Sequence, residues 1–253
     1  MRRALLIAAL IGFGGAPALA AGPDAEAFRP YAAGLIDRLV IGTERFAATI
    51  EAGDLEAAKA AWIAARVGWE RGETFLGESF PDADEAIDSW PDPEAGFHAV
   101  EPILFKAGDV EGARTLTKAL LADVKALEAA FAGQAFDAQG LANGLAGIAF
   151  EIGDAKADGG ESPFAGTSLS DMQDNLIGIE ALYGLSFASA LRASEPALHT
   201  RIVGRMIELS AALRVPSIEA LDQSRVAALS ERLAGDLQDA ALALGLERPM
   251  LGG

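Results

Sequence analysis

Apolar positions in this chain recur at helical spacing over most of its length. Leu116, Leu120, Val124, Leu127 and Phe131 are separated by 4, 4, 3 and 4 residues, which stacks them on one helical face. Val226, Leu229, Leu233, Leu237, Ala241 and Leu244 repeat the stripe near the C-terminus. No run alternates apolar and polar residues with β-branched enrichment, so strands have little support. The pattern predicts an all-α protein with helices near 24–51, 54–77, 97–107, 112–133, 137–157, 168–193, 196–213 and 217–245. Asp54, following Gly53, reads as an N-cap, and Ser168 with Asp171 three residues on reads as a capping box. Short connections between such segments predict two packed helical bundles, about 24–133 and 137–246, divided at 133–137.

Two stretches interrupt the pattern. "GESFPDADEAIDSWPDPEAG" at 77–96 and "ADGGESPFAGT" at 157–167 are rich in Gly, Pro and acids and read as acidic loops between helices. Long loops in a protein of tight turns are the places to look for function.

The N-terminus adds a location. Arg2 and Arg3, the apolar run Ala4 to Phe13 and the small-x-small site Ala18-Leu19-Ala20 read as a secretory signal peptide cleaved after Ala20. The apolar run is too short to span a bilayer, so a soluble periplasmic protein without a membrane anchor is expected, comprising residues 21–253. Losing the two leader arginines takes the formal net charge from −17 to −19. Such acidity argues against nucleic acid and anionic membranes as partners and suits cations. With no cysteine, disulfides, thiolate zinc sites and cysteine nucleophiles are excluded.

Chemistry then narrows to few residues. His98 and Glu101 in "GFHAVE" are i and i+3, and Glu70 and Glu73 in "WERGE" share that spacing, so each pair falls on one helical face. Facing helices that project carboxylates and a Glu/His pair inward are how bundles build metal sites. One imidazole among carboxylates suits iron, manganese or zinc better than copper(I). The same pairs also fit solvated helix faces, and spacing alone leaves both readings open. Pro102 directly after Glu101 means that the helix either starts near His98 or bends there. Asp171 is assigned to helix capping and His199 to the surface. No H-E-x-x-H helix, G-x-S-x-G elbow or phosphate-binding glycine loop is present. Asp82 and Asp84 do not open an EF-hand, because the required glycine is missing.

Three ordered blocks carry a resemblance. "AGDLEAAKAAWIAARVGWERGE", "AIDSWPDPEAGFHAVEPILF" and "KADGGESPFAGTSLSDMQDNLIGIEALY" resemble the imelysin (imelysin-like peptidase) family, most of all its periplasmic EfeO/EfeM iron-uptake branch, in members without an N-terminal cupredoxin domain. The resemblance implies two four-helix bundles and an H-x-x-E metal site completed by acids from neighbouring segments. By motif, His98 and Glu101 match that pair, Glu70 and Glu73 the acids of the E-R-x-E segment, Asp88 the aspartate of the "AID" turn, and Glu161 an acid of the second-half loop. It further implies iron, Fe2+ or Fe3+, as the ligand, with zinc or copper as alternatives. The partners it implies are an inner-membrane iron permease and a periplasmic peroxidase or cupredoxin. Two other functions remain in view: a metallopeptidase using Glu73 or Glu101 as general base, and a non-catalytic helical module for polysaccharide or protein.

Overall fold

The structure is a computed structural model describing residues 22–91 and 93–251. The proposed leader and its cleavage site lie outside the described residues. Helices run in the order α1 (Arg29–Ala52), α2 (Leu55–Ser79), α3 (Pro81–Asp88), α4 (Gly96–Glu101), α5 (Val110–Phe131), α6 (Ala138–Asp154), α7 (Ser168–Leu182), α8 (Ala188–Ser194), α9 (Pro196–Ala212) and α10 (Gln223–Ala243). A π-helical turn, Pro102–Ala107, extends α4, and another, Tyr183–Phe187, joins α7 to α8. Among the described residues there is no strand, so the fold is all-α.

Local chemistry sets the helix ends. The carboxylates of Asp54, Asp109, Asp137 and Asp222 each accept the N–H three residues on, at 2.8–3.1 Å, satisfying donors that the first turn leaves free. Pro30, Pro81 and Pro196 occupy first-turn positions, where a missing N–H costs nothing.

Helix α1 lies along α2 and α5, while α10 lies along α6 and α9. Helix α2 also packs on α6 and α7, which makes it the shared wall of the molecule. Gly178 permits this contact, because a Cβ there would lie 2.3 Å from the Arg71 carbonyl oxygen. At that seam the Asn175 amide donates to the Glu70 carbonyl at 2.8 Å. Trp62, Trp69 and Phe75 of α2 are fully buried, and Phe75 meets Phe28 and Phe136 edge-on at 5.5 and 5.6 Å. The predicted stripes face this core: Leu120, Val124, Leu127, Val226, Leu233 and Leu237 are all buried.

Three expectations are corrected. The 77–96 stretch is not all loop: α2 runs to Ser79, and α3 forms behind Pro81, with Asp82 and Asp84 favouring its N-terminus. Only Ile87 of α3 is buried, too little apolar patterning to reveal a helix. The capping box of Ser168 and Asp171 does not form: Thr167 is the N-cap residue, and the Asp171 carboxylate turns inward to accept from the Thr167 hydroxyl at 2.8 Å. His199 is half-buried and stacks on Tyr183, whose hydroxyl lies 2.8 Å from Nδ1. The run Ser168–Ser194 has the length and apolarity of a membrane span, yet 56% of its most apolar window is buried inside the fold.

Candidate metal centre

Four segments meet beside the buried face of α2. Arg66, Glu70 and Glu73 follow at i, i+4 and i+7, so α2 presents them along one line. Asp88 ends α3, and His98 and Glu101 ride on α4. The 155–167 loop brings Lys156 and Glu161, and α7 brings Asp171 and Asn175. The turn into α4 depends on Gly96, whose φ is +75° and whose missing Cβ would lie 2.2 Å from the Ile87 carbonyl oxygen. That tight return carries His98 Nε2 to 3.4 Å from Asp88 Oδ1. Trp62 Nε1 fixes α4 from the other side by donating to the Phe97 carbonyl at 3.1 Å.

Asp88, His98 and Glu161 each offer a ligand atom, and these atoms lie within 4.8 Å of one another. His98 and Glu161 are buried, and His98 Nδ1 and Glu161 Oε2 have no hydrogen-bond partner. Buried polar atoms are mostly paired, and these are two of the eleven unpaired ones among the described residues; Nδ1 faces Glu101, and Nε2 is the nitrogen turned to Asp88. One imidazole nitrogen and two carboxylates fit a hard to borderline cation such as Fe2+, Fe3+, Mn2+ or Zn2+.

Two protein cations share the space. Arg66 lies over the Trp62 ring at 5.1 Å and pairs with Glu70, with Asp88 at 2.8 Å and with Asp171 at 3.5 Å. Its Nη1 is also 3.3 Å from His98 Nε2. Lys156 Nζ reaches Glu73 at 2.8 Å, Glu161 at 3.0 Å and Glu70 at 3.5 Å. Five carboxyls, Glu70, Glu73, Asp88, Glu161 and Asp171, thus face two fixed positive charges, and a sixth, Glu101, lies beside His98.

The imbalance appears in the acidities. Burial pushes Asp88 up to about 6 against the pull of Arg66 and His98. Burial, aided by the Glu70 charge, pushes Asp171 up to about 8. Burial likewise raises Glu73 well above the carboxylate range, Lys156 notwithstanding. Burial opposes ionisation of Glu70 too, but Arg66 and Lys156 outweigh it and hold that carboxyl below its ordinary value. Protons therefore supply part of the missing positive charge, and a bound cation would displace them.

The six residues expected from sequence occupy three settings. Asp88, His98 and Glu161 form the close cluster. Glu70 and Glu73 line the Lys156 side, where the Asn175 amide also binds them at 3.1 and 2.7 Å. Glu101 Oε1 accepts the backbone N–H groups of Phe164 and Ala165 at 2.9 and 2.7 Å, fastening the second-half loop to α4, while its Oε2 lies 4.0 Å from His98 Nδ1. The question raised by Pro102 resolves into both alternatives: α4 starts at Gly96, and the chain then continues past the proline as a π turn. Sequence reasoning missed Arg66, Lys156 and the inward Asp171. Arg66 was legible, since it stands four residues after Trp62 on the apolar stripe of α2. Lys156, one lysine in an acidic loop, carried no such signal. A cavity of about 520 Å³ opens beside the cluster, lined by Glu73, Asp84, Trp90, Glu151, Asp154 and Glu161 among others.

Comparison with known proteins agrees with this architecture. The imelysin sequence family, peptidase M75, matches residues 25–96 and 94–244. The iron uptake system component EfeO of Yersinia pseudotuberculosis is 31% identical over 186 residues, covering 70% of this chain and 49% of that protein. EfeO of Escherichia coli K12 is 30% identical over 193 residues, covering 73% and 51%. EfeM of Pseudomonas syringae pv. syringae is 29% identical over 196 residues, covering 74% and 68%. The chain spans about half the length of its EfeO relatives. The crystal structure assigned to an iron-regulated protein A precursor from Parabacteroides distasonis superposes with a TM-score of 0.71 at 16% identity, covering 88% of this chain and 96% of that one, a likeness of fold.

Proposed function

This chain belongs to the imelysin family, and we propose that it is a periplasmic component of an iron-uptake system that captures iron as cargo and passes it to an inner-membrane permease. The observation that carries the reading is the convergence of Asp88, His98 and Glu161, with the buried Oε2 of Glu161 left unpaired. In this reading those three side chains hold the ion, Glu70 supplies surrounding negative charge, Glu73 lines the Lys156 side, and Glu101 keeps the Glu161 loop in place. The ion would sit between two four-helix halves, about 24–133 and 137–246. The grouping of α1, α2 and α5, and of α6, α9 and α10, supports that division. The relatives' names, iron uptake system components, support the choice of cargo. A periplasmic peroxidase or cupredoxin would act alongside the permease.

The geometry favours holding over hydrolysis. A metallopeptidase needs a free general base beside a metal-bound water. The two carboxylates suited to that role are engaged, Glu101 by two backbone N–H groups and Glu73 by Lys156 and Asn175.

The test is calorimetric titration of Fe2+ under anaerobic conditions, with Zn2+ as an air-stable probe. The native chain is expected to take up one equivalent, and His98→Ala or Asp88→Asn to abolish high-affinity uptake with an unchanged helical circular-dichroism spectrum. Unaltered affinity in both variants would overturn the assignment.

A further inference from the structure

Lys156 is the least expected residue of the centre. Its side chain is 3% exposed, and its ammonium contacts three carboxylates, Glu73 at 2.8 Å, Glu161 at 3.0 Å and Glu70 at 3.5 Å. Lysine rarely enters an interior unless something there demands its charge. Three acidic oxygens around one point are also the surroundings a small cation would choose. The ammonium therefore stands where a second ion could stand. It shares Glu161 with the Asp88–His98–Glu161 cluster. One oxygen of that carboxylate faces Lys156, while the other, buried Oε2, has no partner.

We propose that Lys156 is a tethered competitor cation: it fills the Glu70–Glu73–Glu161 cage, limits the centre to one ion and weakens the hold on that ion so that it can be handed on. The inference rests on the capture reading above. A unit positive charge on a shared ligand lowers the negative potential felt by an incoming ion and draws density from Glu161. The cage needs no opening to act this way, because the ammonium is covalently tied to the loop and always at hand. Lys156 also borders the 520 Å³ cavity, so an ion arriving from that side meets its charge. A binding protein whose grip was set by all six acids without this counterweight would be poorly suited to release.

Zn2+ titration of the full chain tests this by calorimetry, with thermal melts in the same buffers. Lys156→Met is expected to take up two equivalents, or to bind the first about tenfold tighter or better than the native chain. Lys156→Arg, which keeps the charge, is expected to stay at one equivalent near native affinity. Because Lys156→Met leaves buried acids uncompensated, the double variant Lys156→Met/Glu73→Gln removes ammonium and carboxyl together, and is expected to keep one equivalent bound tighter than native. Unchanged stoichiometry and affinity in both Met variants would overturn the proposal, as would weaker binding, which would make Lys156 a strut for Glu161. Two equivalents in Lys156→Arg would also overturn it. The two readings separate cleanly. If the native chain takes no Zn2+ but Lys156→Met does, the competitor role stands and capture falls; if neither takes Zn2+, both fall.

Discussion

Replacing Arg66 by methionine isolates what its charge contributes. The guanidinium is 1% exposed, and three carboxylates depend on it: Glu70, Asp88 and Asp171. Methionine keeps an unbranched apolar stem against Trp62 and Phe97, over which the guanidinium now lies at 5.1 and 5.8 Å, so packing changes little. What disappears is the counter-charge, and leaving a buried charge without its partner costs about 3–5 kcal/mol. In a chain of this size that lowers Tm by roughly 6–20 °C at pH 7. The assay is differential scanning calorimetry of the ion-free protein at pH 7 and pH 4.5. Asp171, raised to about 8, holds its proton at both pH values, whereas Asp88, raised to about 6, takes one up at the lower pH and needs the guanidinium less, so the deficit should shrink. A loss below about 1 kcal/mol at pH 7, or an equal loss at both pH values, would refute an electrostatic role and leave packing as the cause.

Other perturbations test other links. Asp171, raised from 3.8 to about 8, makes the folded state hold a proton that the unfolded chain releases. Its contribution is complete below pH 3.8 and fades as pH rises through 8, so ion-free stability should fall across that window by up to about 1.4 kcal/mol per pH unit. Asp171→Asn should flatten the slope in urea titrations run at several pH values, and a slope equal to the native one would count against the assignment. Glu101→Ala should speed hydrogen exchange at the amides of Phe164 and Ala165 and weaken Zn2+ binding, whereas native exchange rates would show that the loop is held by other means. Gly178→Ala places a methyl group 2.3 Å from the Arg71 carbonyl, forces α7 away from α2 and should cost about 1–3 kcal/mol in a denaturant melt; a neutral result would mean that the seam is loose.

The helices were legible because their stripes are long: Leu120, Val124 and Leu127 or Leu229, Leu233 and Leu237 leave no other period to choose. Helix α3 was not, since with Ile87 alone buried it is held by Pro81 and by its neighbours rather than by its own pattern. The site divided in the same way. Spacing brought out the pairs Glu70/Glu73 and His98/Glu101, because both lie on single helices. Asp88 and Glu161 come from different segments, and only the motif resemblance linked them to His98. Asp171 was misread because a carboxyl three residues into a helix caps its own turn unless tertiary donors offer more. Here Ser162 and Thr167 do, at 3.1 and 2.8 Å.

The segment that carries Glu161 is fastened at Phe164 and Ala165 to Glu101, and at Ser162 to Asp171. Both fasteners are carboxyl groups, which could themselves receive a cation. An ion settling on either must first strip away the amide or hydroxyl donors that occupy it, and in doing so it lets go of Glu161. On the capture reading, misplaced loading would dismantle the proposed seat, so the centre's own stitching would guard against charge landing in the wrong place.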